Sequence, residues 1–159
     1  MKRIALPMTA VLILLASSSA GAATPRPGAT PSSGVFRGVT SQKDPHLAVH
    51  VARGRGGHLR VEGVELGFKM TCDDGSSVSR TAYLGGARVT ASGRFRIAAA
   101  SGGSYGPHGS IRLTVRFKGR FTSKSSAQGT FRAGALISDS AISSTVACSS
   151  GAIGWVVAR

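Results

Sequence analysis

The sequence predicts an all-β fold: an antiparallel β-sandwich or flattened small β-barrel of about eight strands, tied by one disulfide. Three observations predict it. Apolar and polar residues alternate with a period of two through much of the chain after residue 33, the pattern of half-buried antiparallel strands. The breaks between alternating runs are rich in glycine, the residue that tight turns most need. Beyond the N-terminal leader, no window carries apolar residues at helical spacing.

Composition narrows the possibilities further. The 159 residues include 20 Lys+Arg against 6 Asp+Glu, a formal net charge of +14. This length allows one domain and hardly two. A hydrophobic content of 42% excludes a wholly disordered chain. Two cysteines cannot build a zinc cage or a disulfide-dense miniprotein. Six carboxylates leave few candidates for acid/base chemistry.

The elements follow in order. Lys2 and Arg3 precede an apolar run, Ile4 to Ala16, and small residues at Ala20-Gly21-Ala22. Charged start, apolar centre and small-residue exit together predict a secretory signal peptide over 1–22, cleaved after Ala22. A spanning helix needs roughly 20 apolar residues, more than this run offers. Residues 23–33 (ATPRPGATPSS) read as a Pro/Thr/Ser-rich linker. A single β domain is expected over 34–159.

Within the domain, His46 to Arg53 alternates, with Leu47, Val49 and Val51 on the inner side and His46, Ala48, His50 and Ala52 on the outer. A register pairing Val49 with Val61 and Val51 with Leu59 leaves a three-residue glycine-bearing loop at Gly54-Arg55-Gly56 and sets His50 across from Arg60. Leu59 and Val61 lie on one parity, and Val64, Leu66, Phe68, Met70 and Cys72 on the other. A bulge at Gly63 restores a single inner face. Asp74-Gly75 predicts a tight hairpin, and Gly85-Gly86 and Gly102 to Gly109 predict further corners. Phe95, Ile97 and Ala99 face inward against Arg94, Arg96 and Ala98. Ile111, Leu113, Val115 and Phe117 face inward against Arg112, Thr114, Arg116 and Lys118. Ile153, Trp155 and Val157 share the inner face of the last strand. Gly-Val-Phe-Arg at 34–37, Gly-Arg-Phe-Arg at 93–96 and Gly-Thr-Phe-Arg at 129–132 each read as a strand opener with an inward Phe and an outward Arg. In an exported chain, Cys72 and Cys148 are expected to form one disulfide.

Catalytic candidates read as structure. Gly102-Gly103-Ser104-Tyr105-Gly106 fits the G-x-S-x-G pattern, but Pro107, His108 and Gly109 leave no helix to place Ser104 as a nucleophile, so a hairpin loop is expected. His46 and His50 are separated by about 13 Å along a strand, too far for one metal ion. With His58 and His108 they are the four histidines of the chain, and they read as exposed polar residues. Asp73-Asp74-Gly75 lacks the ligand pattern of a calcium loop. Glu62 and Glu65 are the other close acidic pair, and they balance Arg60. Trp155 is placed in the core rather than on a sugar-binding surface. No catalytic residue, metal or cofactor is expected.

The strand opener Gly34-Val35-Phe36-Arg37-Gly38-Val39-Thr40-Ser41-Gln42, the turn Cys72-Asp73-Asp74-Gly75, the Gly129-Thr130-Phe131 segment and the ending Cys148-Ser149-Ser150-Gly151 with Trp155 together resemble a group of secreted all-β proteins of actinobacterial type. The resemblance implies an exported all-β domain. It brings no activity and no functional residues with it.

Outward parity gathers Arg94, Arg96, Arg112, Arg116, Lys118 and Arg132 as a candidate anion-binding set. The expected location is extracellular or at the outer face of the cell envelope. The expected role is a non-enzymatic module for anionic polymers, with no sequence-specific nucleic-acid motif and no membrane segment after leader removal. A small-ligand or carbohydrate-binding barrel with Trp155 at its mouth and a hydrolase without a recognisable motif are the alternatives.

Overall fold

The computed structural model describes residues 30–42, 46–141 and 144–159. The expected signal peptide and most of the linker lie outside the described residues. Those described contain nine strands and no helix: β1 (Gly34–Thr40), β2 (Leu47–Arg53), β3 (Leu59–Cys72), β4 (Ser77–Arg88), β5 (Arg94–Tyr105), β6 (Gly109–Phe121), β7 (Ser126–Asp139), β8 (Ser144–Ser149) and β9 (Ile153–Ala158).

Every ladder is antiparallel. The hydrogen-bonded path runs β4-β3-β2-β1-β9-β7-β6-β5, and β8 pairs with both β3 and β7. The circuit β3-β2-β1-β9-β7-β8 therefore returns to β3, as in a flattened barrel, with β4 on the outer edge of β3 and β6 and β5 continuing from β7. Two strands change partner to make this possible. β3 pairs with β2 up to Leu66 and with β8 at Thr71 and Cys72. Between these, the Gln42 side chain behaves like a piece of strand: its Nε2 donates to the Lys69 carbonyl at 2.8 Å and its Oε1 accepts from the Lys69 N–H at 2.9 Å. On β7, β9 gives way to β8 after Phe131. Ser150 fills that gap. Its N–H donates to the Ala133 carbonyl, and its Oγ accepts from the Ala133 N–H at 2.8 Å. The Cys72–Cys148 disulfide joins residues that face each other across the β3–β8 ladder and closes a 76-residue separation.

The core follows the predicted parity. Phe95, Ile97, Val115, Phe117, Ile153, Trp155 and Val157 are buried, and Leu113 and Ile111 pack against them partly exposed. Two cross-strand rows fill the centre. One is Phe95, Gly119, Gly129 and Trp155; the next is Ile97, Phe117, Phe131 and Ile153. The indole of Trp155 stacks on Phe117 with centroids 4.7 Å apart and 12° between planes. It lies over the two glycines: a Cβ on Gly129 would stand 2.6 Å from Trp155 Cζ2, and one on Gly119 would stand 2.8 Å from Phe95 Cζ. The Trp155 Nε1 donor is buried without a hydrogen-bond partner.

Several local expectations are corrected. The β2–β3 register is Val49 with Val64 and Val51 with Val61, so the connecting loop is Gly54 to His58, and His50 faces Gly63 instead of Arg60. Three residues were too few for this loop: it closes with Gly57 N–H on the Gly54 carbonyl and Gly54 N–H on that of His58. The bulge is present, with Glu62 the extra residue between the partners of His50 and Val51. Gly85-Gly86 is no corner. These residues sit inside β4, where they carry the same phase change across from β3. Gly102 and Gly103 extend β5 opposite Arg112 and Ile111, and the turn is confined to residues 106–108. Gly129 lies within β7 and opens nothing. Ala48, expected outside, is buried.

Candidate functional site

The outer residues of β5, β6 and β7 fall into rows because their inner neighbours are committed to the core. With Val115 and Phe117 turned inward, Arg112, Thr114, Arg116, Lys118 and Arg120 must turn outward. Register then sets Arg94 opposite Arg120, Arg96 opposite Lys118 and Arg116 opposite Arg132. Successive rows lie about 6.8 Å apart along the strands, and neighbouring strands about 4.8 Å apart. The following row is small and uncharged (Ala100, Thr114, Gly134), and Arg112 stands in the one beyond it. Arg94, Arg96, Arg112, Arg116, Lys118 and Arg132 are all exposed, and the structure brings all six to this face. Arg37 stays on β1, opposite Ala48 and Ala158, two strands away from β7.

The face is not flat. An open depression of about 660 Å³ covers the first two rows, with Arg88 and Arg120 joining Arg94, Arg96 and Lys118 at its walls and Thr90, Gln128 and Thr130 adding neutral polar groups. A second, of about 480 Å³, lies over the small row beside Arg116 and Arg132. Arg120 and Arg88 were missed in the outward set read from the sequence. The signal that finds them is the acid distribution: between Asp74 and Asp139 there is no carboxylate, but there are ten Lys and Arg. Charge that looks dispersed along the chain becomes a block once β4 to β7 are folded.

Asp73, Asp74, Asp139 and Glu65 are engaged elsewhere, and Glu62 is the bulge residue of β3. Asp74 Oδ1 accepts from the Ser76 N–H at 2.9 Å, and hydrogen bonds from the Ser76 side chain and backbone hold its carboxyl below the ordinary aspartate value. Asp73 Oδ1 accepts from the Ala147 N–H at 3.3 Å, tying the β3–β4 turn to β8. Asp139 Oδ1 accepts from the Ala141 N–H. Glu65 approaches His46, with Oε1 3.5 Å from Nε2. These contacts use the acids as turn and strand fittings.

Ser104 sits inside β5 opposite Ser110, with no helix N-terminus beneath it. Among the described residues, no group of three His, Cys, Asp or Glu is placed to hold a metal ion. Trp155 is 3% exposed, so the indole offers no face to a sugar and does not form the mouth of a ligand-holding barrel. No helix among the described residues is long and apolar enough to cross a membrane. No protein-family model, curated protein or solved structure matches the chain.

Proposed function

We propose that the chain is an exported, non-enzymatic β domain that binds anionic extracellular polymers on the outer face of β5, β6 and β7. The observation that carries this reading is the run of three successive rows, each with two cations, on a stretch of sheet built from acid-free sequence. Like charges placed directly opposite one another in a sheet repel, and an anion laid across each row relieves that repulsion. The charged leader supports export. The disulfide fits an oxidising compartment.

Retention on immobilised heparin, measured across a salt gradient, tests the proposal. Substituting Arg94, Arg96 and Lys118 together by Glu is expected to bring elution to markedly lower salt. Substituting Arg37, Arg55 and Lys69 by Glu changes net charge equally at exposed positions that line neither depression of the face, so it should shift elution much less. Equal shifts for the two triple variants would reduce the interaction to bulk charge and overturn the assignment to this face.

A further inference from the structure

We infer that the ligand of the basic face is a base-free phosphodiester chain, such as a polyol phosphate, lying along β6 with one phosphate per cation row. The inference rests on the binding face proposed above and adds the chemical class of its occupant. Three features of the face select that class.

The first is spacing. The rows Arg94/Arg120, Arg96/Lys118 and Arg116/Arg132 repeat every second residue along antiparallel strands, a distance of about 6.8 Å. A phosphodiester of a three-carbon polyol has six bonds between successive phosphorus atoms, and when extended it advances by a similar length. The second is stoichiometry within a row. Each phosphodiester exposes two unbridged oxygens, and the rows Arg96/Lys118 and Arg116/Arg132 each offer two cations on neighbouring strands, three of the four being guanidinium groups suited to phosphate oxygens, with the Arg94 guanidinium in the row before them. The third is what lies between and beside the cations. Outward positions on β5 to β7 hold Ala98, Ala100, Thr114 and Gly134, side chains small enough to let a polymer backbone approach the sheet. No aromatic side chain stands at an outward position in these rows, so a nucleic acid would find the phosphate sites but no stacking platform for its bases.

Synthetic 1,3-glycerol phosphate oligomers of defined length test the inference on the folded, disulfide-bonded domain. Affinity should rise by about tenfold for each added phosphate up to three, the worth of one charge-assisted contact set, and then level off. With three phosphates held, the logarithm of the binding constant should fall with the logarithm of salt at a slope of roughly −2. Thr114→Arg, which fills the uncharged row, should extend the rise to five phosphates by linking Arg116 to Arg112. This gain does not depend on tolerating the loss of a side chain. A charge-matched sulfated oligosaccharide binding as tightly as the glycerol phosphate would leave the basic face standing and overturn the phosphodiester assignment. A thymidine oligomer of equal phosphate number binding about tenfold tighter would overturn the base-free part, because stacking would then be contributing. If no polyanion binds and the triple Glu variant elutes from heparin like the parent, the face itself and this inference both fall.

Discussion

Gly119 is a glycine because the Trp155 indole occupies the space where its side chain would be, and Gly129 because the Lys118 carbonyl, and behind it the indole, fills the corresponding space. A methyl group at Gly119 would run into Trp155 Cζ2 and Cη2 and stand 2.8 Å from Phe95 Cζ, closer than any real contact allows. Gly119→Ala is therefore expected to destabilise the domain by about 1–3 kcal/mol, the usual range for overpacking a filled core, seen as a lower urea midpoint. Trp155→Phe in the same chain should recover part of that loss, and a double-mutant cycle would report the coupling. At the other end of the polarity scale, Asp74 acts through the backbone. Ser76 hydrogen bonds lower its pKa in the folded state, so the group contributes stability above its unfolded value and loses that contribution as pH falls through the lowered folded value. Asp74→Ala should lower Tm at neutral pH, with the difference from wild type shrinking below about pH 4. The carboxylate is fully exposed, so the effect is small, and titration by NMR is the sensitive readout.

At the scale of elements, the two partner changes on β3 and β7 are the points where the ladder could open. Gln42 and Ser150 close them by offering side-chain groups where backbone partners run out. Gln42→Ala leaves the N–H and C=O of Lys69 without these partners and should cost about 1–2 kcal/mol, with faster amide exchange at Lys69 as the local sign. The disulfide holds the same region from the other side. Replacing Cys72 and Cys148 together by Ala releases a 76-residue separation and should lower stability by roughly 4 kcal/mol in the chain-entropy account. Legibility differed among elements for physical reasons. Ile111 to Lys118 could be read directly because each inward residue is large and each outward one is polar, and Ile153 to Val157 because Ile153, Trp155 and Val157 recur at every second position even though Val156 faces outward. Gly102 and Gly103 hid the end of β5, since a residue without a side chain carries no parity and its strand conformation comes from pairing with Arg112 and Ile111. The β2–β3 register slipped because two adjacent alternating runs fit more than one offset, and the loop of Gly54 to His58 is decided by its own hydrogen bonds. Six face residues were legible from outward parity; Arg120 shares that parity on β6 but follows Gly119, which has no side chain to carry the alternation on, and Arg88 joins only through the return of the chain from β4.

For the whole molecule, the same rows that invite an anion strain the free protein. Arg116 and Arg132 are direct cross-strand neighbours of like charge. Arg132→Glu should raise folding stability by up to about 1 kcal/mol at low ionic strength while weakening heparin retention. Added salt should narrow the stability difference as it screens the repulsion. A variant that gains stability and loses binding together would mark the face as selected for a ligand at the expense of the fold. The pairing of β1 with β9 has a different consequence. Arg37 lies opposite Ala158, and Ser32 and Arg159 both hydrogen-bond the Lys124–Ser125 turn. The first and last residues of the domain thus emerge side by side. A short tether from Arg159 to Gly34, with new ends cut into the exposed 54–58 hairpin tip, should yield a circular permutant that keeps all nine strands and leaves the arginine rows untouched.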